Sequence, residues 1–134
     1  MTDGAEKPNI LFILMDDMGW KDLACTGSEF YETPNIDRLR AEGMKFTNAY
    51  ASCPVCSPTR ASVMTGRYPA RIGLTNFIAG VETGKLISAP YIKHLPLENK
   101  TVAGALRDGG YCTWHVGKWH LGPEKYWPQH QGFD

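Results

Sequence analysis

The stretch ASCPVCSPTRASVMTG, residues 51–66, combines a cysteine, an arginine and a signal for the start of a helix. Cys56 comes directly before Ser57-Pro58, where a helix is predicted to begin, and Arg60 follows about one helical turn later. Because N–H groups at a helix start favour negative charge, the pattern predicts an anion or anionic side chain at position 56, with Arg60 beside it. The alternative is a small buried thiol next to a surface arginine.

Two adjacent carboxylates, Asp16 and Asp17, follow the apolar run NILFILM. Like charges side by side repel each other, and a divalent cation relieves that repulsion. Carboxylate oxygens are hard ligands that suit Ca²⁺ or Mg²⁺ better than zinc. The pair therefore indicates a metal site, with a solvated turn after a strand as the alternative.

Lys118 and His120 flank a tryptophan near the end of the sequence. In an extended segment, residues two apart point the same way, so this lysine and histidine would share a face. Together they could bind an anion and move a proton. The alternative is an ordinary strand end with polar residues in solvent.

Other uses of the cysteines also fit their spacing. Cys53-x-x-Cys56 and Cys112-x-x-His115 each have the spacing of half a zinc site, which would make the chain a non-enzymatic zinc-binding module. A thioredoxin-like redox pair fits only in part, because the predicted helix begins after the second cysteine.

The elements that must position these residues alternate along the chain. Apolar runs predict strands at residues 10–15, 44–51 and 111–117. Capping signals predict helices at residues 33–43, 57–66 and 101–109, with Thr33 and Thr101 at N-caps. Residues 74–100 show no firm period and are expected to be irregular. The order predicts an α/β fold with a parallel or mixed sheet flanked by helices, whose strand ends carry the candidate residues.

Composition excludes several classes of partner. The chain has 134 residues, typical of one domain, and its 14 Lys and Arg balance its 14 Asp and Glu. This balance gives no indication of a nucleic-acid partner, and no apolar run is long enough to span a membrane. The stretch MTDGAEKPN has no signal-peptide h-region, which leaves a cytoplasmic location open.

Taken together, the motifs resemble those of the type I sulfatases, which have an alkaline-phosphatase-like fold. CSPTR followed by ASVMTGRYP is similar to the family's C-x-P-x-R signature, and GYCTWHVGKWHLG to its second signature. NILFILMDDMGW is similar to the first strand and metal pair, and TPNIDRLRAEGMKFTNAYA to the segment between. The resemblance runs from about residue 8 to 134, and within the family it is nearest to arylsulfatases and glycan 6-sulfatases.

The resemblance implies roles for the candidate residues. Asp16 and Asp17 would be ligands of one Ca²⁺ ion. Cys56 would be oxidised to formylglycine by a formylglycine-generating maturation enzyme, and its oxygens would also face the metal. One hydroxyl of the formylglycine hydrate would take the sulfate group, and deprotonation of the other would expel it.

The same resemblance implies roles for three further residues. Arg60 would orient the formylglycine, Lys118 would bind sulfate oxygens, and His120 would hydrogen-bond the hydrate and assist its proton transfers. Cys53 matches no catalytic position and is expected to be structural.

The implied protein is a sulfuric ester hydrolase acting on a sulfated small molecule or glycan, without nucleic acid. Residues 1–134 would be an incomplete, N-terminal part of the catalytic domain, inactive alone because the family uses later residues too. The family implies a periplasmic, secreted or lysosomal location. A formylglycine-dependent phosphoester or phosphonate hydrolase, the zinc-binding module and a natural pseudoenzyme stay open as alternatives.

Overall fold

The structure, a computed structural model, describes residues 7–78 and 84–134. The chain forms two compact units, the first ending at Asn48 and the second running from Ala49 to Asp134. The α-helices are α1 (Pro34–Glu42), α2 (Cys56–Thr65), α3 (Pro69–Ile72) and α4 (Val102–Asp108). Short 3₁₀ helices span Ala24–Thr26, Glu124–Tyr126 and Pro128–His130.

Helix α1 of the first unit confirms the helix predicted between Thr33 and Gly43. Thr33 is the N-cap residue and Pro34 opens the helix, where its fixed φ and missing N–H do no harm. The Thr33 hydroxyl accepts a hydrogen bond from the Ala24 N–H (2.9 Å) and donates one to Asp37 (3.0 Å). Thr33 therefore ties the helix to the preceding 3₁₀ turn rather than capping it.

Helix α2 of the second unit confirms the helix predicted from the cysteine–proline motif. It begins at Cys56, one residue before the predicted start, and ends before Gly66. Gly66 has φ 66° and its N–H donates to the Ser62 carbonyl at 2.7 Å, the left-handed ending that glycine adopts without strain. The four-residue helix α3 was not predicted.

Helix α4 confirms the third predicted helix and fixes the end of the chain. The Thr101 hydroxyl accepts the Gly104 N–H at 3.0 Å, as an N-cap should, and donates to the Gln131 carbonyl. Gly132 lies so close to the helix that an added Cβ would be 2.4 Å from the Gly104 nitrogen. Only glycine fits at that approach.

The predicted sheet is not confirmed: no strand occurs among residues 7–78 and 84–134. Residues 10–15 are exposed, with Leu11 86% accessible, although their sequence is that of a buried strand. In the stretch predicted as the third strand, Thr113 pairs instead with the chain end, its carbonyl accepting the Asp134 N–H at 2.8 Å. A strand requires a neighbour for its ladder of hydrogen bonds, and an apolar pattern does not specify that neighbour.

The buried core lies in the second unit. Its members are apolar side chains from α2, α3 and the segments around them: Ala61, Ile72, Leu74, Leu95, Trp119 and Leu121, with Met64, Ile78 and Phe133 packed against them. Residues 74–78 and 84–100 are irregular, as predicted, and residues 79–83 of that stretch lie outside the described residues. Within the described part of the chain, no helix has the length and apolarity to cross a membrane.

Candidate functional site

Cys56 stands at the first position of α2, after Val55 in extended conformation (φ −124°, ψ 159°). No described side chain caps this helix start, so N–H groups of its first turn remain available to a negative group. The Thr59 hydroxyl donates to the Cys53 carbonyl at 2.7 Å and thereby holds the preceding loop against the helix. Cys53 thus contributes a backbone carbonyl to this contact, and the structural role expected for its side chain stays a prediction.

His120 contacts Cys56 across 64 positions of sequence, with Nδ1 3.2 Å from Sγ. Its other ring nitrogen, Nε2, lies 3.0 Å from the Ile78 carbonyl oxygen. Because a carbonyl can only accept, Nε2 carries the proton, and Nδ1 of the neutral ring is the acceptor that faces Cys56. If Cys56 were converted to the hydrated aldehyde that the sequence resemblance implies, a hydroxyl oxygen would take the place of Sγ and could donate to the same nitrogen.

The backbone at His120 is unusual, because its φ of 55° lies in the left-handed region. The residues on either side, Trp119 and Leu121, are both buried in the core, and the Trp119 indole donates to the Tyr126 carbonyl at 2.8 Å. These neighbours hold the strained conformation in place. The alternation expected for an extended Lys118–His120 segment therefore does not apply at this residue.

Arg60 connects α2 to the same segment. Its side chain is only 8% exposed, and Nη1 donates to the Lys118 carbonyl at 2.6 Å. The side chain of Lys118 is exposed. The second unit thus brings the side chains of Cys56 and His120 into contact and joins Arg60 to the backbone of Lys118.

Asp16 and Asp17 lie in the first unit, on the exposed stretch after the apolar run. Asp17 has φ 56°, so the chain bends sharply at the second of the two carboxylates. Two adjacent, accessible carboxylates fit Ca²⁺ in chemistry, yet that ion takes 6–8 oxygen ligands. Among residues 7–78 and 84–134, no group of three or more His, Cys, Asp or Glu side chains is placed to hold a metal. The pair by itself supplies part of the oxygen ligands that a Ca²⁺ ion takes.

The zinc-binding alternative is contradicted by the same finding, because its four residues, all described, do not gather into a metal-binding group. The three cysteines are free thiols, and Cys112 is exposed. His115 instead packs its ring edge-on against Trp119 (5.2 Å between centroids) and Phe133 (5.4 Å). Burial, together with the positive charge of Arg60, lowers the pKa of His115 below its ordinary value.

Sequence reasoning missed two residues that contact the site. Ser57 is fully buried, and its hydroxyl accepts the Ile78 N–H at 3.0 Å, while the Ile78 carbonyl accepts from His120. Ser57 lies inside the recognised motif, but nothing in its type suggested a partner. Ile78 lies in the stretch without a period, where no pattern could have identified it.

Comparisons with known proteins agree on one family. The family model described as Sulfatase matches residues 8–134. Arylsulfatase G of Canis lupus familiaris is 43% identical over 130 residues, covering 96% of this chain and 23% of that protein. N-acetylgalactosamine-6-sulfatase of Homo sapiens is 42% identical over 130 residues, covering 96% of this chain and 25% of that protein.

A solved structure gives the same result for the fold. The crystal structure of Ps i-CgsB superposes with a TM-score of 0.82 at 38% identity, covering 96% of this chain and 27% of that chain. The present chain therefore spans about a quarter of the length of the proteins it matches.

Proposed function

Because the chain belongs to the sulfatase family, we propose that the protein containing it hydrolyses sulfate monoesters through a formylglycine made from Cys56, with one Ca²⁺ ion. The observation that carries this proposal is the contact between His120 Nδ1 and Cys56 Sγ at 3.2 Å. It joins the two family signatures at one point, with a proton acceptor beside the residue that would be modified.

The orientation of the His120 ring suits a particular task. Formylglycine, once hydrated, would supply two hydroxyls on one carbon: one would attack sulfur as the alcohol leaves, and deprotonation of the other would re-form the aldehyde and expel sulfate. With Nε2 held by the Ile78 carbonyl, Nδ1 is the acceptor for a hydroxyl proton at residue 56. The acceptor needs no rotation of the ring to reach that proton.

Arg60 and Lys118 are the two positively charged residues assigned to this site. Arg60 is nearly buried and fixed by its bond to the Lys118 carbonyl, so its charge is positioned before substrate arrives. The Lys118 side chain is exposed and therefore accessible to a sulfate group entering from solvent. We assign stabilisation of residue 56 to Arg60, and contact with sulfate oxygens to Lys118.

The metal would be held in part by Asp16 and Asp17, whose oxygens are of the kind Ca²⁺ prefers. A bound cation would offset the negative charge on the sulfate oxygens and favour ionisation of the attacking hydroxyl. No third His, Cys, Asp or Glu side chain of the described residues joins this pair in a metal-holding group, so we expect the 134-residue chain alone to be inactive. Residues 1–134 are accordingly assigned to the N-terminal part of an incomplete catalytic domain.

The proposed substrate is a sulfated small molecule or glycan. The relatives support this class by name, one as an arylsulfatase and the other as an N-acetylgalactosamine-6-sulfatase. A formylglycine-generating enzyme is the partner that the chemistry at Cys56 requires, and a periplasmic, secreted or lysosomal location agrees with the family.

The test uses the full-length protein, produced together with a formylglycine-generating enzyme. Mass analysis of the peptide containing Cys56 should show conversion, and the protein should hydrolyse an aryl sulfate much faster than the matching aryl phosphate. Cys56→Ala should abolish turnover, whereas Cys112→Ala, which removes an exposed thiol, should not. Faster hydrolysis of the phosphate would favour the phosphoester alternative, and full activity without conversion would refute the formylglycine.

A further inference from the structure

The contacts behind His120 form a closed circuit that begins and ends on helix α2. Cys56 touches Nδ1 of His120, Nε2 of His120 is held by the Ile78 carbonyl, and the Ile78 N–H is held by the Ser57 hydroxyl. The three contacts measure 3.2, 3.0 and 3.0 Å. Since Cys56 and Ser57 are neighbours in the chain, both sides of the His120 ring are tied to the same end of α2, one through Cys56 and the other through Ile78 and Ser57.

Burial makes this circuit stiff. Ser57 has no exposed surface, and Ile78 packs against the hydrophobic core. Water therefore has little access to replace the Ser57 hydroxyl, and an Ile78 N–H deprived of it would be left without its acceptor. The helix start thereby anchors residue 78 through its N–H, and the carbonyl of the same residue faces Nε2 of His120 and favours a proton on that nitrogen.

We propose that Ser57 is a positioning residue, which acts through Ile78 to keep His120 in the Nε2–H form with Nδ1 directed at residue 56. Its importance for turnover rests on the proposed function, but its effect on His120 does not. Loss of the hydroxyl frees the Ile78 carbonyl to move, and the imidazole then samples the other tautomer and other distances.

The same helix contains a matched control. Ser62 also has a buried hydroxyl oxygen, and that oxygen has no hydrogen-bond partner within the described part of the chain. Ser62→Ala removes the same atom from the same helix without breaking the circuit. Ser57→Thr retains the hydroxyl and should restore what Ser57→Ala loses.

The first experiment reads the imidazole directly and requires neither formylglycine nor turnover. In the ¹⁵N-labelled chain, the ring nitrogens of four histidines are resolved by long-range ¹H–¹⁵N correlation, and His120 is assigned by its loss in His120→Gln. We expect the Nε2–H form in the unsubstituted chain and in Ser62→Ala, a mixture of tautomers in Ser57→Ala, and recovery in Ser57→Thr. An unchanged His120 in folded Ser57→Ala would overturn the proposal.

Should Ser57→Ala fail to fold, as judged by circular dichroism, Ser57→Cys keeps the site filled with a weaker acceptor and is read in the same way. In the full-length matured protein, with rates normalised to formylglycine content, Ser57→Ala should lower kcat about 10- to 100-fold. KM should stay within about twofold. If Ser57→Ala changes the tautomer but the unsubstituted full-length matured protein hydrolyses no sulfate ester, the proposed function is wrong and the positioning role of Ser57 stands.

Discussion

The two units hold their candidate residues in different ways. In the first, Asp16 and Asp17 follow an exposed apolar stretch, and none of residues 7–48 is buried. In the second, Arg60 is nearly buried, and His120 lies between two core residues in a strained conformation. The motifs of both units match the same family, yet among the described residues the core surrounds the motif of the second unit.

This difference shows that recognising a motif in the sequence and positioning its side chains in the structure have different requirements. A motif is recognised by residue type and spacing, which the first unit has as fully as the second. Positioning requires packed neighbours, because burial raises the free-energy cost of losing a hydrogen bond or of moving a ring. The second unit meets that condition with Trp119, Leu121 and Ser57. Residues 10–15 show the opposite case, a strand sequence without covering side chains.

The largest expected effect concerns the buried arginine. In the full-length matured protein, Arg60→Lys should lower kcat by about 10²–10³, because lysine cannot reproduce the guanidinium's fixed geometry. Arg67→Lys, at an exposed arginine bonded to Asn99, is the matched control and should leave kcat nearly unchanged. Steady-state kinetics on an aryl sulfate, normalised to formylglycine content, measures both. Equal losses of kcat in the two variants would contradict the stabilising role assigned to the buried Arg60.

The next prediction compares one leucine from each unit. In the 134-residue chain, Leu121→Ala should lower the free energy of unfolding by about 2–5 kcal/mol, because it opens a cavity in the core. Leu11→Ala, at a side chain 86% exposed, should change it by less than about 0.5 kcal/mol. Urea unfolding followed by tryptophan fluorescence gives both values. A large effect at Leu11 would show that the apolar stretch is covered after all.

A smaller effect is expected at the threonines that precede α1 and α4. Thr101→Ala removes a helix cap and a buried bond to Gln131, and should destabilise the chain by about 1–2 kcal/mol. Thr33→Ala should destabilise less, since its partners are closer to water and its hydroxyl does not cap the helix. Thermal unfolding measures the loss of stability in both variants. Thr101→Ser, which keeps the hydroxyl, should unfold at the same temperature as the unsubstituted chain.

The smallest predicted effect is a dependence of stability on pH through His115. Burial and the charge of Arg60 lower the pKa of this histidine, so the folded chain resists a proton that the unfolded chain accepts near pH 6.5. Stability from this residue is therefore complete above about pH 6.5 and declines as the pH falls toward the lowered pKa. Urea midpoints measured across this range should show the decline, and His115→Phe should reduce it. Stability that rises on acidification would contradict the assignment.

The helices were predictable because their signals are local. Pro34, Thr101 and Gly66 act on backbone groups within one turn, and α1, α2 and α4 occur where those residues indicated. The sheet was predicted from apolar runs alone, and the described residues contain no strand. An apolar run reports a tendency to be covered, whereas the covering partner is a separate, distant segment.

The candidate site was predictable in part for the same reason. The sequence by itself determined the family, the three helices and the residue types at Cys56, Arg60, Lys118 and His120. Only the tertiary structure placed His120 against Cys56, and showed that Ile78 and Ser57 hold its other side. Those contacts join positions 21, 42 and 64 apart in sequence, and contacts at that range are selected by packing, on which local propensity carries no information.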